Sequence, residues 1–266
     1  FKVSKSLKQI HSKLKTYLED VIPSTGGSYA YERGVGIDVA ANRLVGHKLL
    51  ITADFVNHFH SVRLTQVKAT LVHHGFTDRV AYLISRLACI TDRGRSFLPQ
   101  GSVISPLLSN RVCEHLLDPI ILKKFPDAKY TRYSDNVYLG FDTNRKSGVE
   151  VLSKLNDISA SLGWRCHKRK ILPYYKQQKA LGFVCNERPN MTKKAWLTLK
   201  AVLHKLALGL TGIELKTAFS YFGVEDAESL VRCLEGKLNY WKPYLAPTRL
   251  TLIETRLNEI KETYIV

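Results

Sequence analysis

The stretch YTRYSDNVYLG, Tyr130 to Gly140, reads as two short strands around a tight turn at Asp135-Asn136. Apolar and aromatic residues flank a polar tip, as in a half-buried hairpin. Upstream, KLLITAD, Lys48 to Asp54, reads as a buried strand that ends in a carboxylate. A strand fixes such a group while the adjoining loop admits substrate, which is where catalytic side chains are often found. Two carboxylates of this kind, Asp54 and Asp135, would hold Mg²⁺ if brought together. In phosphoryl transfer one ion activates the attacking oxygen and a second steadies the leaving one. Spacing alone leaves another reading open, in which Asp54 caps a helix and Asp135 fills a turn.

Composition narrows the partner. The 266 residues suffice for one large domain or two smaller ones with a hydrophobic core. Apolar residues (45%) and charged residues (24%) are in ordinary globular proportion. The balance of 40 Lys and Arg against 23 Asp and Glu is not ordinary, and the net charge of +17 points to a polyanion. Nucleic acid is the commonest one. No apolar run is long enough to span a membrane and no signal-peptide pattern is present, so a cytoplasmic protein without a membrane partner is expected. Cys89, Cys113, Cys166, Cys185 and Cys233 are scattered without a CxxC spacing. Reduced thiols and no structural metal follow.

Leu7, Ile10, Leu14 and Leu18 mark a helix stopped by Pro23, and residues 26–36 form a turn-rich loop. Thr77 caps a helix through Val80, Leu83, Ile84 and Leu87; residues 93–101 read as a loop. Ser105-Pro106 reads as a helix start with a capping hydroxyl, the helix running to about Lys124. Val149, Leu152, Leu155, Ile158 and Leu162 mark an amphipathic helix closed by Gly163. Beyond Pro189 the pattern is helical almost throughout.

Five stretches form a series: DFVNHFHSV (54–62), LPQGSVISPLLSN (98–110), the hairpin, SLGWRCHKRK (161–170) and KALGFVCN (179–186). In order and interval they resemble the successive palm motifs of reverse transcriptases, most closely the bacterial kind found in retrons, group II introns and defence systems. The resemblance covers nearly the whole chain. It implies an α+β right-hand polymerase: partial fingers over 1–46, a palm over 47–190 with a finger-side insertion and a small antiparallel sheet backed by helices, and a helical thumb over 191–266. It implies RNA-directed DNA synthesis with Mg²⁺ or Mn²⁺, deoxynucleotide substrates, an RNA template, a DNA primer and product, and a dedicated non-coding RNA as a further partner. A bacterial retroelement or an antiphage role would be the setting.

Residue by residue, the resemblance makes Asp54, the carbonyl of Phe55, Asp135 and Asn136 the metal-binding set. Phe59 matches the aromatic gate that leaves no room for a 2′-hydroxyl. Gln100 and Gly101 match the lining of the nucleotide pocket, and Lys170 the lysine that approaches the triphosphate. Tyr133 matches the hairpin tyrosine and Leu181-Gly182 the primer-grip turn. Lys193, Lys194 and Lys200 would meet the template–primer backbone from a thumb helix. Asn136 is a departure: the family hairpin carries a second aspartate there. The retron element Asn-Ala-x-x-His keeps only its histidine, His47, in RLVGH (43–47), and Val-Thr-Gly keeps only Gly182. The family's triphosphate-holding lysine and arginine are expected upstream of Phe1. Two rivals follow from these departures: a non-catalytic nucleic-acid-binding scaffold, and a polymerase that is template-independent or protein-primed. Asp54, His58 and His60 also admit a metal reading, though zinc would need a fourth ligand; packing beside the site is the simpler role for the histidines.

Overall fold

A computed structural model describes residues 4–143 and 147–265, so the first three residues of the expected fingers lie outside it. The chain divides into two compact units, Phe1–Leu181 and Gly182–Val266. The end of the expected palm, residues 182–190, therefore belongs to the second unit.

The first unit runs α1 (Lys5–Val21), α2 (Ile37–Asn42), β1 (Leu49–Phe55), α3 (His58–Ser61), α4 (Leu64–His73), α5 (Asp78–Ala88), β2 (Ile90–Asp92) and β3 (Arg95–Phe97). It continues with α6 (Ser105–Leu116), α7 (Asp118–Lys124), β4 (Lys129–Tyr133), β5 (Asn136–Phe141), α8 (Gly148–Ser161), β6 (Cys166–Pro173) and β7 (Lys179–Ala180). The second unit holds β8 (Phe183–Val184), β9 (Asn190–Met191), α9 (Lys193–Ala207), α10 (Gly212–Phe222), α11 (Ala227–Trp241) and α12 (Pro247–Tyr264). Mixed helices and a small antiparallel sheet give the α+β class expected.

The sheet order is β4-β5-β1-β6, antiparallel throughout. β1 is central, so LLITADF is apolar on nearly every residue rather than alternating, and it buries six of its seven positions. Leu107, Leu108 and Val112 of α6, with Leu155 and Ile158 of α8, join the sheet in one core. In the second unit Leu203, Leu206, Leu230, Leu234, Ile253, Leu257 and Ile260 close a separate helical core.

Four local expectations need correction. Tyr133 pairs with Asn136, so the tight turn is centred on Ser134 and Asp135, one residue early. Ser134 supplies the positive φ, 58°, that a two-residue hairpin loop needs. Ser105 does not cap α6: Ile104 is the cap residue, and the Ser105 hydroxyl donates instead to the Pro99 carbonyl at 2.8 Å, tying the LPQG loop to the helix. The helix does not run on to Lys124. Pro119 has no N–H for the carbonyl of His115, and α7 restarts at Asp118. Residues 93–101 are not wholly loop, since β2 and β3 pair across Arg93 and Gly94.

Candidate active site

Antiparallel pairing joins the two aspartates. In the β1–β5 register Asp54 stands opposite Asn136, and the Phe55 N–H donates to the Asp135 carbonyl at 3.1 Å. Asp135 thus lines the same cleft as Asp54. Burial pushes its pKa up, and the Asp54 charge pushes the same way. Asn136 donates from Nδ2 to Asp135 Oδ1 at 3.0 Å. It thereby turns its donor end to the neighbouring carboxylate.

On the other side of β1 the pairing with β6 slips. Thr52 faces Lys170 but Asp54 faces His167, so β6 carries one extra residue, a bulge. Lys168, in the bulge, has φ of 46°. Its ammonium lies 3.2 Å from Asp54 Oδ2. His167 brings Nδ1 to 3.1 Å from the Asp54 carbonyl and Nε2 to 3.8 Å from Oδ2. Lys170 is exposed opposite Thr52, two residues or roughly 7 Å along β1 from Asp54. It is not among the residues lining the cleft; Lys168 is.

The cleft has a volume of about 270 Å³ and is lined by Asp54, Phe55, Phe59, Gln100, Ser134, Asp135, His167 and Lys168, with Asn57, His58 and His60. Its chemistry fits a divalent ion. Asp54 Oδ1 is buried with no hydrogen-bond partner, and Oδ2 meets the exposed Lys168 ammonium, with His167 Nε2 farther off at 3.8 Å. Two carboxylates facing one ammonium, with one oxygen left unpartnered, leave a negative charge that a bound cation would offset. Among the described residues no three His, Cys, Asp or Glu side chains gather as a metal site. The Asp54–His58–His60 reading therefore fails. His58 is turned inward, its Nε2 2.7 Å from Ser109 Oγ, and burial and the nearby Arg132 charge lower its pKa to about 3.

Gly101 follows Gln100 in a left-handed conformation, φ 88°, which suits glycine. Tyr133 is half-buried at the end of β4. Leu181 and Gly182 both have positive φ, 54° and 86°, in a tight turn. Lys193, Lys194 and Lys200 are exposed on α9. Sequence reading missed Lys168, His167 and Ser134. Three basic residues in succession, 168–170, hide which one a bulge will turn toward Asp54.

A family profile described as reverse transcriptase (RNA-dependent DNA polymerase) matches residues 2–185. The Retron Ec86 reverse transcriptase of Escherichia coli is 22% identical over 215 residues, covering 79% of this chain and 65% of that protein. The Retron Mx162 reverse transcriptase of Myxococcus xanthus is 24% identical over 225 residues, covering 73% of this chain and 46% of that protein. The chain thus spans less than two thirds of the length of these relatives. Among solved structures, a foamy viral protease-reverse transcriptase in complex with an RNA/DNA hybrid aligns over 91% of this chain and 30% of that one, with 16% identity and a TM-score of 0.47.

Proposed function

The chain belongs to the reverse transcriptase (RNA-dependent DNA polymerase) family, and from that premise we propose that its cleft adds deoxynucleotides to a primer paired with an RNA template. The observation that carries this reading is the Asp54–Asp135 pair: two carboxylates brought to one cleft by strand pairing, one with a buried orphan oxygen. Asp54, Asp135 and the Phe55 carbonyl would hold Mg²⁺ or Mn²⁺, with Asn136 steadying Asp135 by hydrogen bond. The chemistry a divalent ion supplies at such a site is Lewis acidity toward the attacking and leaving oxygens.

The remaining residues bind and orient. Phe59 closes the cleft beneath the sugar and excludes a 2′-hydroxyl. Gln100 hydrogen-bonds the sugar, and Gly101 leaves room for it. Lys168, released from Asp54 when positive charge arrives there, is free to reach the phosphates, the role expected of Lys170. Tyr133 and the Leu181–Gly182 turn support the primer end, while Lys193, Lys194 and Lys200 neutralise backbone phosphates. A dedicated non-coding RNA as a further partner, and a retroelement or antiphage setting, complete the proposal. No described helix is long and apolar enough to cross a membrane.

The test is single-nucleotide incorporation on an RNA template with a DNA primer, in Mg²⁺ and in Mn²⁺. Asp54→Asn and Asp135→Asn are expected to abolish incorporation while leaving the fold and RNA binding intact. Asn136 keeps the scaffold reading alive, because it removes one carboxylate from the set. Wild type that binds the duplex yet incorporates nothing in either metal would establish that rival. Extension without template would establish the other.

A further inference from the structure

Arg132 is fully buried, the largest such side chain in the described chain. All five of its N–H donors are matched. Nε and Nη2 reach the two oxygens of Asp118, each at 3.0 Å. Nη1 donates to Asn110 Oδ1 at 2.9 Å and to the Ser134 carbonyl at 3.3 Å, and Nη2 also donates to the Asn110 carbonyl at 3.4 Å. The Tyr130 hydroxyl donates to Asp118 at 2.6 Å.

The upstream loop closes on the same network. Ser28 bridges to Arg132 in parallel, the Tyr29 N–H donates to the Arg132 carbonyl at 3.0 Å, and the Ser28 hydroxyl donates to Asn110 Oδ1 at 3.1 Å. A Cβ at Gly27 would meet Asp118 Oδ2 at 2.8 Å, so only glycine lets the loop approach so closely. Ser134, the turn residue with φ of 58°, is held from two sides: Arg132 on its carbonyl, and Tyr31 accepting from its hydroxyl at 3.1 Å.

Stability alone does not account for this. A buried ion pair loses its hydration, and well-packed apolar residues of similar size are often as stable or more so. What apolar residues lack is a directional grip on a carbonyl. We propose that Arg132 is a positioning residue for Asp135: its guanidinium fixes the Ser134 carbonyl, and with it the left-handed turn that presents the Asp135 carboxylate to Asp54. The inference rests on the reading of Asp54 and Asp135 as metal ligands.

The test replaces the whole set, Arg132→Met with Asp118→Leu and Tyr130→Phe, so that no buried charge or hydroxyl of this cluster is stranded. Three quantities are measured: the melting temperature, Mn²⁺ binding by the electron paramagnetic resonance of the free ion, and the kcat and KM of nucleotide incorporation. The triple variant is expected to melt near wild type, yet to lose about 10- to 100-fold in Mn²⁺ affinity and kcat, the usual cost of removing support behind metal ligands, with KM little changed. A folded triple variant that binds Mn²⁺ as tightly as wild type overturns the proposal. Should the triple variant not fold, Arg132→Lys keeps the charge but not the fork. Weakened Mn²⁺ binding in it supports the proposal, and unchanged binding overturns it. Wild type that binds Mn²⁺ through Asp54 (binding lost in Asp54→Asn) but incorporates nothing removes the polymerase reading alone, and the Mn²⁺ comparison still decides on Arg132. Wild type that binds no Mn²⁺ at Asp54 removes both.

Discussion

At Asn136 an amide stands where the family hairpin carries a carboxylate, and its Nδ2 donates to Asp135. One negative charge fewer around a divalent ion lowers affinity, and mixed ligands favour Mn²⁺ over Mg²⁺. Asn136→Asp is therefore expected to raise incorporation in Mg²⁺ and to narrow the gap between the two metals. A loss of activity in both metals would instead give the amide a task of its own. Lys168 carries a second expectation at this scale. It is 69% exposed and still lies 3.2 Å from Asp54, so its charge is available to the cleft without a large desolvation cost. Lys168→Ala is expected to slow incorporation roughly tenfold, within the range of lost charge-assisted contacts. Lys170→Ala is expected to leave the rate near wild type, and the reverse ranking would return the role to Lys170. Asp54, Asp135, Phe59 and Gln100 were legible in the sequence because motif order brings them to one cleft. Lys168 was not, because its orientation depends on one extra residue in β6 and a positive φ, neither of which leaves a periodic trace.

The elements were legible wherever hydrophobic period or a cap decided them. Thr77 caps α5 through the Val80 N–H, and the apolar run of β1 reads directly as a central strand. Tertiary contacts overrode local signals elsewhere: Ser105 gives its hydroxyl to the LPQG loop, and the hairpin turn is set by the Tyr133–Asn136 pair. α3 shows the same dependence. It has only four residues, and what fixes it is His58, packed against Phe55 and Trp164 and bonded to Ser109. Folded His58 has a pKa of about 3, well below the 6.5 of a free imidazole, so the unfolded chain binds the proton more readily. Its contribution is complete above pH 6.5 and declines as pH falls toward 3, by at most about 1.4 kcal/mol per pH unit. In denaturant melts His58→Asn should lose less stability than wild type between pH 6.5 and 5. Parallel curves would show that His58 titrates normally in the folded state.

For the whole molecule, the charge of +17 was legible from composition, whereas the division at Leu181 and Gly182 was not. The expected boundary followed Pro189 and the onset of helical period, but the short β8–β9 pair, Phe183–Val184 with Asn190–Met191, already belongs to the second unit. Phe183 packs there among Tyr240, Trp241 and Tyr244, an aromatic cluster that no periodicity announces. Each unit has its own apolar core. Cooperative melting follows cores, not chains, so heating should produce two calorimetric transitions rather than one. Mn²⁺ held by Asp54 and Asp135, as proposed, should raise one of the two and leave the other in place, since a ligand stabilises only the part that must be folded to bind it. A single transition that shifts as a whole would mean that the two cores melt as one body. In the two-step case, a few degrees of warming near the lower transition would silence one half of the protein while the other kept its shape.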